Sequence, residues 1–178
     1  MTSATLANLL SASRIFMAPG LGWCVLTGNW WSACLLFLLA VSTDIADGRI
    51  ARGSDASSAF GGLLDHSSDA LFVTVGLLAL ALSGYLPLLL PLLVVVSFSQ
   101  YVFDSRALAG RQLRASWLGR ANGIAYYVLL GFALFWHALF PENVIQSLLI
   151  LLGWALVTTT VLSMSDRAWT LLNAGRRE

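Results

Sequence analysis

Apolar residues fill this 178-residue chain in long blocks, separated by short polar breaks. Six blocks each approach the roughly 20 residues that a helix needs to cross a bilayer. They lie near 5–27, 30–52, 58–83, 86–106, 116–140 and 144–165. The breaks at Gly28-Asn29, Ser83-Gly84 and Pro141-Glu142 carry turn-forming residues. The expected fold is therefore all-α: an integral membrane bundle of six transmembrane helices, forming a single domain over 1–178. Pro19-Gly20 is expected to kink or locally open the first helix. The opening MTSATLANLL lacks a basic n-region and a cleavage site, so the first block is expected to stay as a helix. The tail after Ser165, with Asp166, Arg167, Trp169, Arg176 and Arg177, reads as a short interfacial helix.

The polar residues inside these blocks are more telling than the blocks. Asp44, Asp47, Gly48, Ala51 and Arg52 are spaced i, i+3, i+4, i+7 and i+8, one face of a helix. Gly61, Asp65 and Asp69 follow at i, i+4 and i+8, one face of the next. The segment Gly53-Ser54-Asp55-Ala56-Ser57-Ser58 is turn-like and would join two antiparallel helices whose acidic faces meet. Ionisable groups at membrane depth are costly, and function is the default reason for keeping them. Four carboxylates converging in low dielectric repel one another or take up protons unless cations neutralise them. Oxygen-only ligands suit Mg²⁺ or Mn²⁺ rather than zinc. Four carboxylates suffice for two such ions, an arrangement suited to displacement at phosphorus. The plainer alternative is a solvated helix end with a salt bridge such as Asp47 to Arg52. It leaves the second acidic helix unexplained.

Composition agrees with a membrane protein: 58% hydrophobic residues against 11% charged. The 10 basic residues are all arginine and the net charge is +1, so no basic field argues for nucleic acid. With six spans, both termini share a side, and Arg49, Arg52, Arg106, Arg111, Arg114, Arg120, Arg167, Arg176 and Arg177 all fall at that side. The positive-inside rule then makes it cytoplasmic, with the acidic faces at the same level. Cys24 and Cys34 lie in apolar blocks and read as small hydrophobes rather than a disulfide or metal pair. Trp30, Trp31 and Trp136, near block ends, read as interfacial residues.

The stretch from Asp44 to Asp69 resembles the signature of the CDP-alcohol phosphatidyltransferases, D-x-x-D-G-x-x-A-R-x₈-G-x-x-x-D-x-x-x-D, with every specified position filled. The signature covers residues 44–69, and chain length and hydropathy also fit the family. The resemblance implies transfer of a phosphatidyl group from a CDP-lipid to a small alcohol acceptor, with release of CMP, in phospholipid biosynthesis. It also implies a homodimer, with each protomer holding its own site in a bacterial-type inner or plasma membrane. Under this resemblance Asp44, Asp47 and Asp65 are metal ligands. Asp69 is the candidate to accept the alcohol proton and also a candidate metal contact; spacing alone does not choose the base. Gly48, Ala51 and Gly61 are small enough for the nucleotide to lie against the helix backbones. Arg52 is placed to hold a phosphate bidentately.

Other residues carry two readings each. Arg14, inside the first block, either contacts a donor phosphate or snorkels to the interface. Arg106 and Arg120, with Arg111 and Arg114, either bind an acceptor phosphate, as glycerol 3-phosphate would require, or express the positive-inside bias and contact with anionic membrane lipids. His66 lies off the acidic face and reads as a solvated histidine. Two competing functions remain: the same chemistry on a neutral or unusual alcohol such as serine, choline or a polyol, and a small cation transporter. The transporter gives no role to the glycines or to Arg52.

Overall fold

The computed structural model describes residues 3–53, 59–104, 117–140 and 145–174. They form six helices: α1 (Ser3–Leu26), α2 (Trp30–Gly53), α3 (Ala59–Leu82), α4 (Leu89–Asp104), α5 (Trp117–Leu139) and α6 (Gln146–Ala174). Among the described residues no strand is present, and the all-α expectation holds.

Two turns explain where helices stop. Gly28 and Gly84 have φ of 71° and 83°, a left-handed conformation that favours glycine. At the end of α1, the Gly28 N–H donates to the Val25 carbonyl and the Asn29 N–H to the Cys24 carbonyl. At the end of α3, the Gly84 N–H donates to Ala81 and the Tyr85 N–H to Leu80. Both are Schellman closures, which satisfy the last carbonyls of a helix. Asn29 then caps α2, its side-chain oxygen accepting from the Ser32 N–H at 3.4 Å. Helix α4 begins at Leu89, later than the apolar pattern predicts, because Pro87 disfavours helical backbone before it; Pro91 fits the first turn.

Two expectations differ from the structure. Helix α1 continues through Pro19 rather than opening there. The polar tail does not form a separate interfacial helix: α6 runs unbroken from Gln146 to Ala174, and no proline or glycine follows Ser165 within it to end the helix earlier.

Helix α1 packs against α2 and α3, α5 against α2, α3 and α6, and α4 against α3 and α6. The core joins Ala18 and Leu21 of α1, Phe37 of α2, Phe72 and Leu77 of α3, Leu90 of α4, Leu130 and Leu134 of α5, and Leu149 of α6. Buried polar contacts tie the later helices together. Tyr126 and Thr160 share a hydrogen bond of 2.5 Å between α5 and α6, and Gln100 of α4 donates to the Met164 carbonyl at 3.2 Å. At the α2 start, His137 lies between Trp30 and Tyr85, its ring 4.4 and 4.3 Å from theirs. Cys24 and Cys34 are free thiols, as expected. Large apolar side chains such as Phe16, Trp23, Ile124 and Leu151 face outward. Four helices (α1, α3, α5 and α6) are long and apolar enough to cross a membrane. The apolar stretches of α2 and α4, Trp30–Ala46 and Leu89–Phe103, are shorter, because the acidic positions take up the end of α2 and α4 starts late.

Candidate active site

Three of the four anticipated carboxylates have described side chains, and these three meet. Asp44 near the end of α2 and Asp65 and Asp69 in the first turns of α3 offer carboxylate oxygens that all lie within 4.8 Å of one another. Asp65 and Asp69 stack one turn apart on α3. The Ser68 hydroxyl, which donates to the Asp65 carbonyl at 2.8 Å, stays off that face.

Arg14 of α1 lies among these acids. Its Nη1 is 2.7 Å from Asp44 Oδ1 and 2.8 Å from Asp69 Oδ1, and its Nη2 bonds Asp65 Oδ1. Its side chain is fully buried, whereas those of Asp44, Asp65 and Asp69 are 47, 32 and 27% exposed. The guanidinium therefore sits inside the bundle and the carboxylates line its outer side. That position rules out snorkelling to the interface. Two hydroxyls complete the arrangement: Ser11, one turn before Arg14, donates to Asp65 Oδ1 at 3.3 Å, and Tyr127 of α5 donates to Asp69 Oδ1 at 3.0 Å.

A cavity of about 580 Å³ opens beside the acids. Asp44 and Asp69 border it, with His66, Tyr101, Arg120 and Arg167 as further polar groups. Its remaining walls are largely apolar, from Val41, Val73, Val94, Phe98 and Ile124. The guanidinium of Arg167 lies over the Tyr101 ring at 4.8 Å, a cation–π contact that brings the far end of α6 to the cavity. His66 is half exposed, with Nδ1 2.9 Å from the Gly62 carbonyl and 3.8 Å from Asp65 Oδ2.

The other anticipated residues divide in two. Gly48 and Gly61 are half-buried on α2 and α3, and Arg120 reaches the cavity. The backbone of Asp47, Ala51 and Arg52 continues α2, but their side chains lie outside the described residues, as does Arg106 with Arg111 and Arg114. Sequence reasoning passed over Ser11, Tyr101 and Tyr127 and read Arg167 as part of an interfacial tail. Ser11 falls on the same face as Arg14, a detectable signal. The tyrosines sit in apolar blocks, where a phenol is commonly a packing residue with one polar tip.

The signature's helix faces, the carboxylate cluster and the adjoining cavity accord with a family model for CDP-alcohol phosphatidyltransferases that matches residues 4–162. The chain belongs to this family. Among CDP-alcohol phosphatidyltransferases it is 35% identical to the cardiolipin synthase (CMP-forming) of Rattus norvegicus over 92 residues, covering 51% of this chain and 30% of that protein. It is 38% identical over 85 residues to a putative cardiolipin synthase of Mycobacterium tuberculosis, covering 47% of this chain and 40% of the relative. It is 30% identical over 138 residues to the CDP-diacylglycerol–glycerol-3-phosphate 3-phosphatidyltransferase of Cereibacter sphaeroides, covering 70% and 62%. The matches thus span less than two thirds of each relative. The family and the four long apolar helices make this chain an integral membrane protein. Its donor set also fits a hard divalent cation: only carboxylate oxygens, converging from two helices at the edge of a cavity.

Proposed function

We propose that this chain transfers a phosphatidyl group from CDP-diacylglycerol or a similar CDP-lipid to an alcohol, releasing CMP, as a step of phospholipid biosynthesis. The observation that carries this reading is the meeting of Asp44, Asp65 and Asp69 beside a cavity that also holds Arg120 and Arg167. Asp44, Asp47, Asp65 and Asp69 hold Mg²⁺ or Mn²⁺ in this proposal, with room for two ions. Bound there, such ions polarise phosphoryl oxygens and neutralise charge building on them. The chain's own residues supply orientation and proton transfer. Gly48, Ala51 and Gly61 let the nucleotide lie against α2 and α3. Arg52 grips a donor phosphate through its planar fork. Asp69, at the cavity edge, accepts the proton of the attacking alcohol.

For the acceptor, Arg120 and Arg167 favour a phosphate-bearing alcohol such as glycerol 3-phosphate, which the name of the Cereibacter relative carries. Arg106 is a further contact in this proposal. A second reading has a specific observation behind it: the mostly apolar cavity walls suit an acceptor that is itself a lipid, in line with the cardiolipin synthase relatives. Purified protein incubated with CDP-diacylglycerol and each acceptor class decides between them through metal-dependent CMP release. Arg120→Ala should raise the KM of a phosphate-bearing acceptor about tenfold and leave that of the CDP-lipid nearly unchanged. If neither the KM of glycerol 3-phosphate nor that of a phosphate-bearing lipid responds, a neutral alcohol such as serine or choline takes their place. Absence of CMP release with every acceptor removes the transferase reading.

The same proposal has all six helices crossing the bilayer, the site facing the cytoplasm and two copies forming a homodimer. The arginine distribution supports the orientation. Glu142→Cys should then react with an impermeant thiol reagent on intact cells in a background lacking Cys24 and Cys34, and Ser54→Cys should not. The opposite labelling would invert the site.

A further inference from the structure

We infer that Arg14 is a built-in counter-cation of the carboxylate cluster, competing with the first divalent ion for the oxygens of Asp44, Asp65 and Asp69. This inference rests on the metal-site reading above and assigns Arg14 a role within it.

Three observations carry it. First, the guanidinium contacts all three acids, each through its Oδ1 atom. A metal ion bound by this cluster would draw on the same carboxylates. Second, the three described carboxylates carry −3 together and Arg14 returns +1, so the arginine offsets part of the charge that divalent ions would otherwise neutralise. Third, Arg14 does not border the cavity, whereas Arg120 and Arg167 do. An arginine that grips a substrate phosphate must present its fork to the substrate, and this one presents it to the acids behind the cavity wall.

The physical consequence has two sides. Arg14 relieves repulsion between carboxylates that α2 and α3 hold within 4.8 Å of one another, so the bundle can close without an ion. Its positive charge also repels an entering cation at short range and low dielectric, so it weakens ion binding. Lysine would keep the charge but lose the planar fork that spans several carboxylates.

The test uses the full chain in detergent, with Mn²⁺ alone as probe and no nucleotide. Thermal unfolding is followed in EDTA and in saturating Mn²⁺, and bound Mn²⁺ is counted by electron paramagnetic resonance. Arg14→Gln should unfold at least about 5 °C below the wild type in EDTA, with most of that gap closed by Mn²⁺. Its Mn²⁺ affinity should be about tenfold tighter or more, since a nearby positive charge is gone. An equal gap in both conditions would make Arg14 a structural staple, and an unchanged or weaker affinity would equally overturn the inference. Arg14→Lys provides the test if the glutamine variant does not fold. It should bind Mn²⁺ within about threefold of the wild type, because the charge remains; a larger change in either direction counts against the inference. Wild-type protein that takes up no Mn²⁺ removes the metal site and this inference together. Wild-type uptake with an unaltered Arg14→Gln isotherm overturns only the role of Arg14.

Discussion

Asp44→Asn and Asp65→Asn should each lower metal-dependent CMP release by on the order of 10³-fold, the equivalent of several kcal/mol of transition-state stabilisation. Chelation with EDTA should abolish the activity of the unaltered protein, and added Mg²⁺ or Mn²⁺ should restore it. The reason is local. Asparagine keeps the size of the side chain and one oxygen but removes the negative charge that a hard cation needs. The competing explanation, loss of fold, is weaker on magnitude. The Asp44 side chain is 47% exposed, and losing one partner of the buried Arg14 is costly mainly where it leaves that charge uncompensated. Arg14 also keeps Asp65 and Asp69 when Asp44 is neutralised. Each variant should therefore unfold within a few degrees of the wild type while losing nearly all turnover. Full activity in excess EDTA, or variants that lose activity only because they no longer fold, would contradict the metal assignment.

The helices were legible because bilayer thickness imposes length and apolarity on a crossing helix, and long apolar blocks leave few alternatives to helix. The acidic faces were legible for a second reason: helical periodicity maps spacing directly onto direction, so Asp65 and Asp69 had to share a face. What spacing could not reveal is depth across the bundle. Arg14 sits 30 residues before Asp44 and 51 before Asp65 in the chain. Only the packing of α1 between α2 and α3 decides that its side chain turns inward rather than to the interface. Tyr127, on α5, bonds to Asp69 across 58 residues, a contact that no local pattern encodes. The tail misled for a simpler reason. Asp166 and Arg167 break the apolar pattern, but charge does not break a helix, and α6 runs on far enough for Arg167 to reach Tyr101.

Asp69→Asn should reduce kcat by roughly 10²- to 10⁴-fold, the usual contribution of a positioned general base, with the CDP-lipid KM changed only a few-fold. Two features distinguish Asp69 from its neighbours, and a third it shares with Asp65, which Ser11 orients. It borders the cavity, which Asp65 does not. It is less exposed than Asp44. A third group orients it, since Tyr127 donates to the same Oδ1 that Arg14 engages, as a base held for proton transfer requires. Tyr127→Phe tests that orientation separately. Arg14 still holds Oδ1 in that variant, so the expected loss is about tenfold, the lower end of what one hydrogen bond to a charged group contributes. Titrating Mn²⁺ into Asp69→Asn separates the two roles open to this carboxylate. A base leaves kcat low at every Mn²⁺ concentration, because no added ion replaces a missing proton acceptor. A ligand shifts the half-saturating Mn²⁺ upward by tenfold or more, and excess metal recovers much of the rate. Recovery at high Mn²⁺ would move the proton transfer to another group bordering the cavity, with Asp44 the nearest carboxylate there.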